Sequence, residues 1–444
     1  MARQGLLLLV LAGLLLADGL STVRTGLDIS FLRTFAEELL PHIEPSDLDI
    51  VELEAGNTNY CFKVIQRSTK ENILFLKHAQ GVTRRGNAVI SVDRLRYEAA
   101  GMSAFSKIVP SVVPKVRAFD KNINTMALDF IGEEFESLQR LLERGQGVDV
   151  DISRIVGTIM GRSHARSHEI FATEEAITRY MGVWANQDAF DLWRKHLYLP
   201  TLDMLKSKPP SEFEPQQSQT CIKAVESLLD VYLGRKEALI HGDLHCNNIL
   251  CSADDGQRIE DRCRVVDFER CCLGPAGLDL GMFLSGIFYY YIGHSNPAVR
   301  RTLKEGVLAT IEAYRASFRT QSPARPGILQ ADTEGAIGRI LTDAVGFMAL
   351  YPLFLLYTKP EINFLSLEHT PGYRWGDIQG RQDFVRRRHL LAILRAFELF
   401  LRESEGSSRE AADVKQQRLV DGIVDVLAQD DSILISGHQT EFWF

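Results

Sequence analysis

The decapeptide His241-Gly242-Asp243-Leu244-His245-Cys246-Asn247-Asn248-Ile249-Leu250 is followed, nineteen residues after Asn248, by Asp267 in Val265-Val266-Asp267-Phe268-Glu269. Phosphoryl transfer from ATP needs a carboxylate to orient an attacking hydroxyl and accept its proton, and oxygen ligands to hold Mg²⁺ across the phosphates. Asp243 suits the first task. Asn248, Asp267 and Glu269 suit the second, because hard oxygen donors are what Mg²⁺ prefers. The spacing fits a loop that turns after Asp243 and presents Asn248 just before a short apolar strand, with Asp267 ending the next one. If the two strands pair as a hairpin, Asp243, Asn248 and Asp267 meet at one end. An aspartate between strands often does no more than cap a turn, but two segments in this order and spacing point to one catalytic cleft. His241 and His245 are assigned to bracing the loop.

The elements upstream are of the kind that would place a nucleotide against that cleft. Residues 49–53 and 60–65 alternate like strands and are joined by Gly56-Asn57-Thr58-Asn59. Gly56 allows the backbone to approach phosphates, and Asn57 and Asn59 tolerate the dihedrals of a tight turn. Lys77 ends an apolar strand, Ile73-Leu74-Phe75-Leu76, where a buried charge needs anionic partners. The α and β phosphates and a glutamate from the following helix, residues 93–105, would supply them, and Glu98 is the candidate. Residues 112–118 and 125–130 complete a small antiparallel sheet. Its last strand is the expected adenine hinge, with Asp129 or Phe130 nearest the base through backbone groups.

Taken together these segments resemble the aminoglycoside phosphotransferase and choline kinase superfamily and, within it, 5-methylthioribose kinase. The broad likeness rests on HGDLHCNNIL and VVDFE. The narrower one rests on Gly56-Asn57-Thr58-Asn59-Tyr60-Cys61-Phe62 and Gly274-Pro275-Ala276-Gly277-Leu278-Asp279-Leu280-Gly281. The resemblance implies an α+β, two-lobed protein-kinase-like fold, with a small antiparallel-sheet N-lobe and a mostly helical C-lobe. It implies ATP and Mg²⁺ as cofactors, a small-molecule hydroxyl acceptor, namely the 1-hydroxyl of 5-methylthioribose in methionine salvage, and a homodimer. It makes Asp279 the aspartate that braces the catalytic loop. Three positions depart from the family pattern. Asn248 stands where methylthioribose kinases carry a small residue, Asp267-Phe268-Glu269 replaces a D-P-E triplet, and a sugar-gripping pair of arginines is reduced to Arg339. The rival readings are a choline, ethanolamine or homoserine kinase of the same superfamily, and a catalytically silent secreted binding protein.

The chain of 444 residues is long enough for two lobes, and its net charge of −8 argues against a nucleic-acid partner held by phosphate contacts. Arg3 followed by the apolar run from Leu6 to Ala17 has the form of a targeting signal over residues 1–21, directing the chain to the secretory pathway or a plastid. A cytoplasmic enzyme with a misassigned start is the alternative. No stable membrane span is expected after signal removal. Residues 28–131 are read as the nucleotide-binding lobe, 132–403 as the catalytic lobe and 404–444 as a tail. The seven cysteines have no C-x-x-C spacing and suggest neither zinc nor a disulfide framework. Beyond residue 136 the pattern is helical. Arg162, His164, Arg166 and His168 look like a solvated helix end. Tyr289-Tyr290-Tyr291 lies in a core helix, residues 344–357 form a kinked buried helix, and Arg386-Arg387-Arg388 starts a last long helix in solvent. Trp375 sits on a loop placed to cover a substrate.

Overall fold

Alternation of side chains decides the N-terminal half. The computed structural model describes residues 29–439 apart from 55, 57, 85–88, 253–257, 295, 322–328, 359–377 and 406–411. Helix α1 (Ser30–Leu39) is followed by strands β1 (Leu48–Leu53), β2 (Tyr60–Gln66) and β3 (Asn72–His78), helix α2 (Arg94–Ser106), and strands β4 (Val116–Asp120) and β5 (Thr125–Asp129). The strands form one antiparallel sheet in the order β1-β2-β3-β5-β4. Leu74 and Leu76 of β3 face α1, joining a core with Leu32, Phe35 and Ala36. With a period of two, Phe75 and Lys77 therefore face the opposite side, the wall of the cleft. Met126 and Leu128 of β5 point the same way and merge with the core of the helical half. Strand β4 starts later than the sequence suggests. The Val112 carbonyl is taken by the Val265 N–H, and Pro114 has no N–H to give a ladder.

Past β5 the chain is mostly helical: β6 (Phe135–Ser137), α3 (Leu138–Glu143), α4 (Val150–Ser167), α5 (Glu174–Val183), α6 (Gln187–Trp193), α7 (Leu199–Ser207), α8 (Pro215–Gly234) and β7 (Ala238–Ile240). Then come β8 (Ile249–Ser252), β9 (Cys263–Val265), β10 (Cys272–Gly274), α9 (Ala276–Gly293), α10 (Pro297–Gln321), α11 (Gln330–Thr358), α12 (Ile378–Glu405) and α13 (Ala412–Gln439). Strands β8 and β9 do pair as an antiparallel hairpin, with Ile249 opposite Val265. Strands β7 and β10 form a second antiparallel pair flanking the loop that carries Asp243.

Helix α9 is buried along nearly its whole length and packs on α11. Its glycines allow the approach: a Cβ on Gly277 would lie 2.6 Å from the Asp343 Cβ, and one on Gly281 would lie 2.5 Å from the Phe347 Cβ. The glycine block of the sequence is thus a helix-packing device. Helix α11 is longer than the apolar run foreseen at residues 344–357 and carries Pro352 inside it. It is long and apolar enough to cross a membrane, yet 89% of its apolar window is buried in protein, which makes it a core helix here. Of the three arginines expected in solvent, Arg387 alone is exposed. Arg388 is buried, and Arg386 donates to Glu212 and to the Leu356 carbonyl. The tail does not hang free: Leu419, Ile423 and Leu427 of α13 are buried, and Tyr291 donates its hydroxyl to the Leu427 carbonyl at 3.0 Å.

Candidate active site

A glycine and an aspartate in left-handed backbone shape the catalytic loop and its partner segment. Gly242 has φ +80°, and any Cβ there would sit 2.4 Å from the Arg270 carbonyl. Asp267 has φ +69° and ψ +57°, a conformation that costs a non-glycine residue on the order of 1 kcal/mol and turns its carboxylate away from the β9 line. Asp279, at the start of α9, accepts the backbone N–H of His241 at 2.7 Å and of Gly242 at 2.9 Å. His241 is buried and its ring is held by the Val266 carbonyl at 3.0 Å, so it braces the loop. Burial keeps that imidazole below its ordinary pKa and hence neutral.

Asp243 is buried, and its Oδ1 takes no hydrogen bond from any described residue. His245 Nε2 lies 3.4 Å from that oxygen, and Arg270 Nε lies 3.2 Å from Oδ2. The guanidinium of Arg270 stacks on Trp193, 4.5 Å from the ring centroid, while Trp193 Nε1 donates to the Gly242 carbonyl at 2.9 Å. Burial disfavours the charge on Arg270, but Asp243, Glu269 and Asp267 outweigh it and hold the group firmly cationic. Asn248 spends its Nδ2 on the Asp243 carbonyl at 2.9 Å. Its amide oxygen is therefore the atom left to act as a ligand.

Asn248 also lines a cavity of about 670 Å³ beneath the sheet, together with Asp267 and Glu269. Lys77 reaches into it from β3 and Glu98 from α2, while Gly56, Asn59, Asp129 and Phe130 line its upper side. Lys77 Nζ donates to Glu98 at 2.7 and 2.9 Å and to Asp267 Oδ1 at 2.5 Å. Burial alone would lower the pKa of Lys77, but Asp267, Glu98 and Glu269 hold it well above its usual value. Burial raises Glu98 to about 8 against the pull of Lys77. One oxygen from each of Glu98, Asp267 and Glu269 can lie within 4.8 Å of the others, so one buried lysine is set among three carboxylates. Such a donor set, with the amide oxygen of Asn248 beside it, fits a hard divalent cation.

Several expectations need correction. Arg339 is exposed on α11, and the charges that feel it are His168, Glu237 and Asp343. Tyr351, twelve residues further along the same helix and so about 18 Å away, is the one that feels Asp243. Burial first, then Asp243, pushes its phenol up. Asn59 does not supply an unusual backbone dihedral: its φ is not positive, and its side chain is buried against Glu269 and Arg94. Asp129, expected against the base through backbone groups and not through its side chain, turns its carboxylate to Arg117 at the surface. His164 and His168 are buried rather than solvated, and His164 Nε2 lies 3.2 Å from Asp279. The three consecutive tyrosines, by contrast, are buried core as expected, with Tyr290 accepting from Gln139 at 2.6 Å. Asn57 and Trp375 lie outside the described residues. Sequence reasoning missed Arg270, Trp193, Asn186 and Tyr351. Arg270 had a signal, since it directly follows the second metal-ligand segment, whereas the others are brought in only by tertiary packing.

A small antiparallel sheet and a helical lobe closing on such a cavity is the protein-kinase-like, two-lobed fold. Residues 53–316, more than half of the chain, match the phosphotransferase enzyme family, and the chain belongs to it. Among relatives, the methylthioribose kinase of Bacillus pumilus (strain SAFR-032) is 24% identical over 320 residues, covering 68% of this chain and 77% of that one. A methylthioribose kinase of Bacillus cereus is 26% identical over 329 residues, covering 67% and 75%. Among solved structures, an ethanolamine kinase of Plasmodium vivax aligns with a TM-score of 0.42 at 13% identity, over 87% of this chain and 99% of that one. A glucosamine kinase aligns with a TM-score of 0.43 at 13% identity, over 80% and 82%. Family and relatives together make this chain a small-molecule kinase.

Proposed function

We propose that the protein transfers the γ-phosphoryl group of ATP to the 1-hydroxyl of 5-methylthioribose, giving 5-methylthioribose 1-phosphate for methionine salvage. The observation that carries the reading is Asp243 Oδ1, a buried carboxylate oxygen with no hydrogen bond from any described residue, at the head of a loop fixed by Asp279. A buried acceptor without a donor is costly unless a ligand supplies one. An acceptor hydroxyl donating to it is held with its oxygen facing the γ-phosphorus. As the new O–P bond forms, the bond from the γ-phosphorus to the β–γ bridging oxygen breaks, ADP leaves with that electron pair, and the hydroxyl proton passes to Asp243.

Lys77, held by Glu98, would meet the α and β phosphates, and the turn at Gly56 would lie over them. Asn248, Asp267 and Glu269 would hold Mg²⁺, which neutralises charge on the phosphates when bound. The base of the nucleotide would lie against Leu128, Asp129 and Phe130. Arg270 favours a neutral acceptor over the amine alternatives. In choline or ethanolamine the hydroxyl that reaches Asp243 brings a cationic nitrogen two carbons away toward a buried guanidinium of the same sign, whereas a sugar hydroxyl can accept a bond from it. The N-terminal apolar run is proposed as a targeting segment.

ATP consumption by protein lacking residues 1–21, with Mg²⁺ and a panel of methylthioribose, choline, ethanolamine, homoserine and simple pentoses, tests the substrate. Turnover on methylthioribose and not on the amines is the expected outcome. Turnover confined to an amine would replace the acceptor and contradict the role given to Arg270.

A further inference from the structure

Asn59 and Glu269 are 210 residues apart in sequence, yet Asn59 Nδ2 donates to Glu269 Oε2 at 2.8 Å. The other end of the same amide is also fixed, since Asn59 Oδ1 accepts from Arg94 Nε at 2.7 Å. Arg94 gives its Nη1 to the carbonyls of Gln80 and Ser91, and its Nη2 to the carbonyl of Thr58, the residue before Asn59 in the nucleotide turn. From below, Asn186 Nδ2 holds the backbone carbonyls of Glu269 at 3.0 Å and Cys271 at 3.3 Å. Exposure is 2% for Asn59, 4% for Arg94 and 7% for Glu269, so water has little access to replace any bond that is lost.

The arrangement has a geometric consequence. The bond to Asn59 engages one oxygen of Glu269 and leaves the carboxylate a second for the cluster it forms with Asp267 and Glu98. An amide bonded at both ends is held against a flip, so its amino group and not its oxygen faces Glu269. We propose that Asn59 and Arg94 are positioning residues: they orient Glu269 toward a divalent cation and, through that bond, couple cation binding to the Thr58–Asn59 limb of the nucleotide turn. Coupling of this kind is reciprocal. A cation that favours the oriented carboxylate tightens the turn on the nucleotide, and the nucleotide tightens the cation by the same factor. The inference rests on the kinase reading, which supplies the nucleotide and the cation.

The test compares wild type with Asn59→Leu, which keeps the branching at Cγ, with bulkier tips, and removes both bonds. Mn²⁺ is the probe, with its protein-bound fraction read by electron paramagnetic resonance beside a non-hydrolysable ATP analogue. The affinity of the analogue is measured separately without metal. Mn²⁺ affinity should fall about tenfold, the size expected for one hydrogen bond to a charged group, and metal-free affinity by a clearly smaller factor. Equal losses in both would mean that Asn59 touches the nucleotide directly, and an unchanged Mn²⁺ affinity would mean that the bond only packs the lobes together. Either result overturns the proposal. If Asn59→Leu shows no cooperative melting, Arg94→Lys serves instead, with a smaller loss of the same selectivity expected and no selectivity counting against the coupling. A wild type that binds no Mn²⁺ with the analogue would overturn the kinase reading and this inference together, whereas a binding wild type matched by its variant overturns the inference alone.

Discussion

At the scale of single residues, Gly242 is where the backbone tolerates least. Both its positive φ and the 2.4 Å approach to the Arg270 carbonyl oppose a side chain. Gly242→Ala should cost about 2 kcal/mol of stability and most of the turnover, because relief of the clash must move Arg270 or Asp243. Urea denaturation and initial rates measured on the same sample would check this, and a variant with wild-type midpoint and rate would refute it. The residues that the sequence made legible are those whose partners are close along the chain. Asp243, Asn248 and Asp267 sit at spacings that one loop and one hairpin determine, and Lys77 with Glu98 follow from a charged residue ending an apolar strand. Asn59 was singled out for its turn chemistry, but its partner is Glu269, far away in sequence. His164 and His168 looked like a solvated helix end, since nothing local announces the buried Asp279, Tyr314 and Phe318 that surround them.

At the scale of elements, the segment after β9 is held by packing as much as by hydrogen bonds. Phe268 is fully buried between Phe105 of α2, with ring centroids 5.0 Å apart, and His241, at 4.4 Å. This ring replaces a proline of the family pattern and ties α2, the carrier of Glu98, to the catalytic loop. Phe268→Ala should lower stability by about 3 kcal/mol through the cavity it leaves. A shift of the urea midpoint at unchanged slope would show it, and a loss under about 1 kcal/mol would mean that the site collapses around the gap. Strand positions in the first lobe were readable because side chains alternate there. Helix ends were less so: α8 begins at Pro215 in a proline-containing polar run, where the Gln217 side chain accepts the Glu214 N–H, a cap formed only once the helix exists.

At the scale of the whole molecule, buried ionisable groups make stability depend on pH. Burial, with Arg339 and His164 adding to it, pushes His168 from 6.5 down to about 3. The unfolded chain takes up that proton below pH 6.5 and the folded chain does not. The stabilising contribution of neutral His168 is therefore complete above pH 6.5 and is lost progressively as pH falls from there toward about 3. Asp343 acts in the opposite sense: burial raises it to about 7, so its protonated form stabilises the fold at low pH and that contribution fades as pH rises toward 7. Comparing wild type with His168→Asn isolates the histidine. Between pH 6.5 and 5.5 the wild type should lose about 1 kcal/mol more than the variant by urea denaturation, and parallel losses would contradict the assignment. The core helices α9 and α11 and the docked helix α13 show why this scale is the hardest to read from sequence. An apolar helix has the same pattern whether its partner is another helix, a tail or a bilayer, and only packing decides.

In the proposed mechanism Asp243 serves a phosphoryl transfer whose nucleotide site stands without it. Asp243→Asn keeps the shape of the loop and removes the base. Turnover should fall about 10³-fold, while ATP affinity, measured calorimetrically on the same preparation, stays within about threefold of wild type because Lys77, Asn248 and Asp267 are untouched. A variant that still turns over at near the wild-type rate would contradict the mechanism outright.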